Sequence, residues 1–273
     1  MAKLAFLGQI NDPPRSPLPG AAIIIFLVTA FTVDLVLPGA TTGKGMLYLT
    51  MLALPLAIAS RRLPAIHLNV FLLFFFLVGI LPHFHTYPFN RLSALLPYAY
   101  TVAVIPALRK SVGWLRVGTL GAKLWLFLLA IILVAGLALW LWVRLLNPDL
   151  SHYTGMLPQA STGVVLAFGI GFSAFNALLE EITWRGVMLE ALDSALGAGW
   201  LALILQAISF GLAHYQTGFP NGVVGAAMAC AYGLMLGVVR RKSRGMLACW
   251  LAHVLADSVI FCLIFAFAHQ AAR

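Results

Sequence analysis

Residues 173–192 read SAFNALLEEITWRGVMLEAL and place two adjacent carboxylates, Glu180 and Glu181, inside an apolar run. No proline interrupts the chain from Thr162 to about Leu196, and the first convincing stop is Gly197-Ala198-Gly199. The spacing predicts one helix of about 34 residues, about 50 Å long at 1.5 Å per residue, which exceeds the ~30 Å hydrocarbon core of a bilayer. Both glutamates fall near its middle. An ionisable group at that depth is expensive and is a functional suspect by default.

The next apolar stretch begins near Trp200 and runs back. Counted from Ala198, Glu181 lies 17 residues before the turn, and His214, in ISFGLAHYQTG, lies 16 after it. An antiparallel hairpin therefore sets the two at one depth. Glu181 and Arg185 are i and i+4 with Glu N-terminal, so they share a face and can pair. Pairing lowers the cost of carrying either charge in the membrane. Glu180 points about 100° round the helix and is the better candidate for a free carboxylate with tunable basicity. In CWLAHVLADSV, His253 and Asp257 are again i and i+4. A carboxylate beside an imidazole fixes its tautomer and favours its charged form.

Composition agrees with a membrane chain. Of 273 residues, 62% are hydrophobic and 9% charged, with a mean hydropathy of +0.97. Soluble domains carry about 25% charged residues, so the fold class expected is an all-α polytopic helix bundle. Residues 1–20 are polar and rich in Pro and Gly and lead into Ala21–Leu37, read as a retained first span rather than a cleaved signal. Further apolar stretches lie at about 46–59, 65–82, 92–108, 124–143, 163–192, 199–216, 222–239 and 246–267. The stretches at 46–59 and 92–108 are short and can be re-entrant, so eight or nine spans are expected. The division expected is a set of N-terminal helices, about five spans, over 1–160, and a core that holds these ionisable residues over 161–273.

The net charge of +9 carries no basic stripe interleaved with aromatics, which excludes a nucleic-acid partner. It fits the positive-inside rule instead. With nine spans and a cytoplasmic N-terminus, the inside loops hold Lys3, Arg15, Arg61, Arg62, Arg109, Lys110, Arg116, Lys123, Arg240, Arg241, Lys242 and Arg244. The outside loops hold Lys44, Arg91, Arg144 and Arg273, giving twelve against four. A short, loop-poor chain of this kind suits a prokaryotic cell membrane. Cys230, Cys249 and Cys262 read as small buried residues, since no C-x-x-C spacing is present. His83 and His85 in the loop HFHTYPFN read as polar rather than metal-binding, and Asp34 and His67 as structural.

Glu180, His214, His253 and Asp257 make a buried acid–base cluster. A buried Glu with a nearby His can hold a water and take its proton. A charged His can stabilise the oxyanion that forms when that water adds to a carbonyl. These are parts for amide hydrolysis without a Ser or Cys nucleophile. Glu180, His214 and His253 can also bind zinc, although no H-E-x-x-H motif is present, and the expectation is no cofactor. Each feature has a structural reading too: a buried ion-pair network for Glu180, Glu181 and Arg185, a core histidine on a carbonyl for His214, and a packing pair for His253 and Asp257.

The ordered motifs E-E-x-x-x-R at Glu180–Arg185, F-x-x-x-H at Phe210–His214 and H-x-x-x-D at His253–Asp257 resemble the CAAX-protease and bacteriocin-processing (ABI) family, glutamic intramembrane proteases of the Rce1 type. The resemblance covers roughly residues 160–265. It implies an intramembrane endopeptidase acting on a membrane-anchored or lipidated protein tail. It further implies that Glu180 and His214 activate water, that His253 and its partner form the oxyanion site, and that Glu181, Arg185 and Phe210 support them. Rce1-type enzymes carry Asn where this chain has Asp257, and an ionised Asp cannot donate to an oxyanion. Asp257 is therefore expected to orient and charge His253. Two other classes use the same residues: a proton-coupled transporter, and a non-catalytic membrane partner or immunity protein.

Overall fold

The computed structural model describes residues 17–37, 39–81, 94–216 and 218–271. Among the described residues every regular element is a helix and none is a strand. In hydrocarbon a backbone must satisfy its own hydrogen bonds, and a helix does so within one segment. The elements are α1 (Pro17–Val36), α2 (Ala40–Ala59), α3 (Leu63–Gly79), α4 (Leu95–Val104), α5 (Pro106–Ser111), α6 (Ala122–Leu146) and the short α7 (Ser151–Thr154). Then come α8 (Thr162–Leu196), α9 (Trp200–Ala213), α10 (Gly222–Ser243) and α11 (Leu247–Ala271). Among the described residues, six helices are long and apolar enough to cross a bilayer: α1, α2, α6, α8, α10 and α11. The apolar helices α3, α4 and α9 are shorter.

Several expectations change. The stretch at 46–59 belongs to a 20-residue helix, because Thr41–Lys44 extend it as its first turn. The stretch at 92–108 is two helices: Ile105 is extended and Pro106 opens α5. Proline lacks the N–H and disfavours helical geometry in the residue before it. Of the three cysteines only Cys249 is buried; Cys230 is half-buried, and Cys262 is exposed on a lipid-facing side where an apolar thiol needs no protein cover. His83, His85, Lys3, Arg15, Arg91 and Arg273 lie outside the described residues.

The chain alternates between two ends of the bundle. Arg62 Nη1 donates to the Ser194 carbonyl at 2.6 Å. His67, just inside α3, is hydrogen-bonded to Tyr98 and to Ser111 at the close of α5, both at 2.9 Å. Residues 116–119 run alongside 243–247, with Met246 N donating to the Arg116 carbonyl at 2.7 Å and Thr119 N to the Ser243 carbonyl at 2.8 Å. These contacts gather Arg61, Arg62, Arg109, Lys110, Arg116, Lys123 and the Arg240–Arg244 cluster at one end. The opposite end holds Lys44 and Arg144, with Gln216 donating to the Val36 carbonyl at 2.7 Å.

The aromatic run after His67 is packing surface: Phe71, Phe75 and Phe76 are buried, and Phe31 of α1 meets Phe75 edge-on at 5.3 Å. Close approach of α9 and α10 rests on small residues, as is usual between helices in lipid. A Cβ on Gly211 would stand 2.5 Å from the Ala226 carbonyl oxygen and 2.7 Å from Cys230 Cβ. On Gly233 it would meet Phe210 at 2.9 Å. Because backbone cannot yield as a side chain can, Gly211→Ala is expected to destabilise the fold by about 1–3 kcal/mol. Gly171→Ala meets nothing within 4 Å and serves as the control. Thermal unfolding in detergent compares the two.

Candidate functional site

The α8–α9 hairpin forms as the sequence predicts. Gly197 at its turn has φ of +80°, a conformation that suits glycine. Arg241 from α10 donates to the carbonyls of Ala198 (3.2 Å) and Gly199 (3.0 Å) and pairs with Asp193, fixing the turn at the basic end. α8 is continuous but not uniform: Ile182–Met188 is a π-helical turn. A π turn admits one extra residue and rotates the rest of the helix about its axis. Here it buries every side chain from Thr183 to Leu189 in succession, which a single-faced α-helix does not do. Arg185 lies within that turn and is fully buried.

Glu181 is the hub. Its Oε1 lies 2.9 Å from Arg185 Nη1 and accepts from His253 Nδ1 at 2.7 Å, with all three side chains buried. The contact to His253 ties α8 to α11. Arg185 continues across the hairpin: its guanidinium lies 4.2 Å from the centre of the Phe210 ring on α9, a cation–π contact. Phe210 in turn meets Trp184 edge-on at 5.3 Å, His214 at 4.8 Å and His253 at 5.9 Å. Trp184 Nε1 donates to Ser209 at 3.3 Å, so the register that sets Glu181 opposite the end of α9 is held on both flanks.

The other nitrogen of His253, Nε2, lies 3.5 Å from Glu180 Oε2 and 3.6 Å from Asp257 Oδ1. Asp257 thus lies beside His253 as expected, but it is not the closest carboxylate to the ring. Orientation of His253 through Nδ1 comes from Glu181 on a neighbouring helix, and Asp257 shares the Nε2 side with Glu180. An i,i+4 spacing says which residues can meet, not which ring nitrogen they meet. His214, at the end of α9, donates from Nδ1 to the Phe210 carbonyl at 3.0 Å. A carbonyl only accepts, so this bond selects the Nδ1–H tautomer and leaves Nε2 as an acceptor.

A cavity of about 180 Å³ reaches the cluster from α6, lined by His214, His253, Asp257 and Tyr232 and otherwise by apolar side chains such as Val134, Leu139, Met228 and Met235. Glu180 is not among its lining residues; its side chain is 19% exposed and its Oε2 lies beside His253, which is one of them. Among the described residues, no three His, Cys, Asp or Glu side chains are placed to hold a metal ion. Both nitrogens of His253 already face carboxylates.

Two participants belong to none of the three sequence motifs. Asn176 donates from Nδ2 to Glu180 Oε1 at 3.2 Å and to Asp257 Oδ2 at 3.0 Å. Its position four residues before Glu180 is the available signal, since that spacing puts both on one face. Tyr232 of α10 donates to the Ala252 carbonyl at 3.0 Å and sets its ring 5.8 Å from His253. No periodicity links it to the motifs.

These helices define a membrane-embedded protein with a buried cluster of carboxylates and histidines. Residues 161–259 match the family model described as Type II CAAX prenyl endopeptidase Rce1-like. The match spans all three motifs, and the chain is an integral membrane protein carrying an Rce1-like region. Comparisons with curated proteins and with solved structures gave no match.

Removing one partner from a buried ion pair strands the other charge, a loss of about 3–5 kcal/mol. Arg185→Met is expected to cost that much, because it leaves three buried carboxylates facing His253 alone. Adding Glu181→Gln is expected to restore part of it. A double-mutant cycle on thermal unfolding in detergent measures the coupling.

Proposed function

We propose that this protein is an intramembrane endopeptidase that hydrolyses a peptide bond near the membrane-anchored end of a protein substrate. The observation that carries the reading is the state of Glu180. Its Oε1 is braced by Asn176, while its Oε2 has no hydrogen bond and lies 3.5 Å from the imidazole of His253, which walls the cavity. A buried carboxylate oxygen with nothing to accept from is suited to a water. The Rce1-like match supports a peptide as the substrate and a prenylated CAAX-type tail as its class.

The reaction balances with these residues alone. A water between Glu180 Oε2 and His214 Nε2 gives a proton to Glu180 as its oxygen adds to the scissile carbonyl carbon. The carbonyl oxygen takes the negative charge and accepts from His253 Nε2–H, with Asp257 beside it. Collapse of the tetrahedral intermediate breaks the C–N bond, and the proton held on Glu180 passes to the leaving nitrogen. Glu181 holds His253 by its far nitrogen, and Arg185 holds Glu181. No metal is called on.

The same reading assigns residues 161–273 as the catalytic core and 1–160 as the helices around it. Eight or nine crossings with a cytoplasmic N-terminus belong to the same reading, and the gathering of basic side chains at one end favours that orientation.

Glu180→Gln is expected to lower turnover about 10²- to 10⁴-fold with folding preserved, the usual range for a lost general base. Peptide mass mapping of membrane proteins processed by wild type and by Glu180→Gln reads it and identifies the scissile bond. Cleavage by Glu180→Gln at the wild-type rate would overturn the assignment. Metal chelation is expected to leave wild-type cleavage unchanged, and elemental analysis of the purified protein checks the same point. Stoichiometric zinc with loss of activity on its removal would contradict it.

A further inference from the structure

Asn176 has two N–H hydrogens on Nδ2, and the structure assigns one to each of two carboxylates on different helices. The reverse orientation of the amide would set its oxygen against both of them. Each carboxylate then has one oxygen held and one released: Glu180 Oε2 and Asp257 Oδ1 are the released pair, at 3.5 and 3.6 Å from His253 Nε2. Asn176 thus decides which oxygen of each acid is available for chemistry.

Charge counting fixes what the pair carries. Three carboxylates (Glu180, Glu181 and Asp257) face two cations, Arg185 and a protonated His253. Fully ionised, the cluster bears one uncompensated negative charge inside an apolar layer, a costly arrangement that retention of one proton removes. Glu181 contacts both cations and has least reason to keep a proton. The proton therefore belongs to the Glu180–Asp257 pair. Asp257 lines the cavity and Glu180 does not. With Oδ2 accepting from Asn176, a proton on Asp257 sits on Oδ1 and becomes a donor aimed beside His253 Nε2–H.

We propose that Asn176 is a positioning residue that leaves Glu180 Oε2 as the base and localises one retained proton on Asp257 Oδ1, where Asp257 serves as a second donor to the oxyanion. The proposal rests on the peptidase reading for its chemistry, and on the geometry alone for the retained proton. A neutral, protonated Asp257 supplies a donor that an ionised one cannot. The groups facing this pair are Glu181 and Arg185 from α8, His214 from α9, Tyr232 from α10 and His253 from α11.

Two measurements on the full-length protein in detergent test it. In the first, infrared difference titration follows the band of protonated carboxyl groups. Wild type is expected to keep a protonated carboxyl at neutral pH that Asp257→Asn removes. Asn176→Leu is expected to shift its titration. In the second, cleavage of a membrane-anchored reporter is followed against pH. Asn176→Leu removes the one donor that Glu180 and Asp257 share, so the acid limb of kcat is displaced from its wild-type position. The turnover number is expected to fall at least tenfold, with KM nearly unchanged. Asn176→Ser keeps one donor in place of two and moves the limb the same way, which keeps the test open if the leucine variant does not fold. An acid limb identical to wild type in whichever variant folds, with only thermal stability reduced, would reduce Asn176 to a brace between α8 and α11. A carboxyl band untouched by Asp257→Asn would equally overturn the proposal. If the infrared results hold but wild type cleaves nothing, the peptidase reading fails and the retained proton stands.

Discussion

Everything at the site hangs on one buried carboxylate. Glu181 receives Arg185 from its own helix and His253 from α11, and all three are shielded from the surface. In the bilayer an unpaired charge is strongly disfavoured, so this three-way contact ties α8 to α11. It also frees its neighbour. Because Glu181 takes both cations at close range, Glu180 is left with an amide on one oxygen and nothing bonded to the other. Two adjacent residues of the same type thus acquire different surroundings, one paired at close range with two cations and one with an oxygen left unbonded, through a rotation of about 100°.

The π turn makes the arrangement fit. Arg185 must reach Glu181, lie over Phe210 and stay out of lipid at once. A regular helix buries one stripe; the turn from Ile182 to Met188 buries a whole band of side chains between α1, α3 and α9. Trp184 sits between Phe31, tilted against it, and Phe210, edge-on, in the same band. The N-terminal helices are therefore more than lipid-facing cover: they wall the segment that carries the guanidinium.

Much of this is legible in the sequence. Polar residues in a strongly apolar chain stand out, and counting from Gly197–Gly199 is enough to align Glu181 with His214. The rest depends on contacts between helices, which spacing along one helix does not reveal. Asp257 is one helical turn from His253, yet the close bond to the imidazole comes from Glu181. Asn176 reads as an ordinary small polar residue until α11 brings Asp257 to it. The π turn has no sequence signature, since packing on both sides creates it. The break of α4 from α5 is available in Pro106, and only its consequence for the path needs the structure.

Arg241 gives the bundle a datum. It grips the turn between α8 and α9 from outside the apolar layer, at Ala198, Gly199 and Asp193. A helix is stiff along its axis, so fixing its end fixes Glu180 at a set distance, roughly 25 Å away at 1.5 Å per residue. The position of the carboxylate–histidine cluster is thus gauged from the turn that Arg241 holds. A slip of a single residue at that grip would be transmitted undiminished to the far end, like a ruler moved at its zero mark. Arg241 lines no part of the cavity, yet the height of the carboxylate–histidine cluster within the bundle is partly written there.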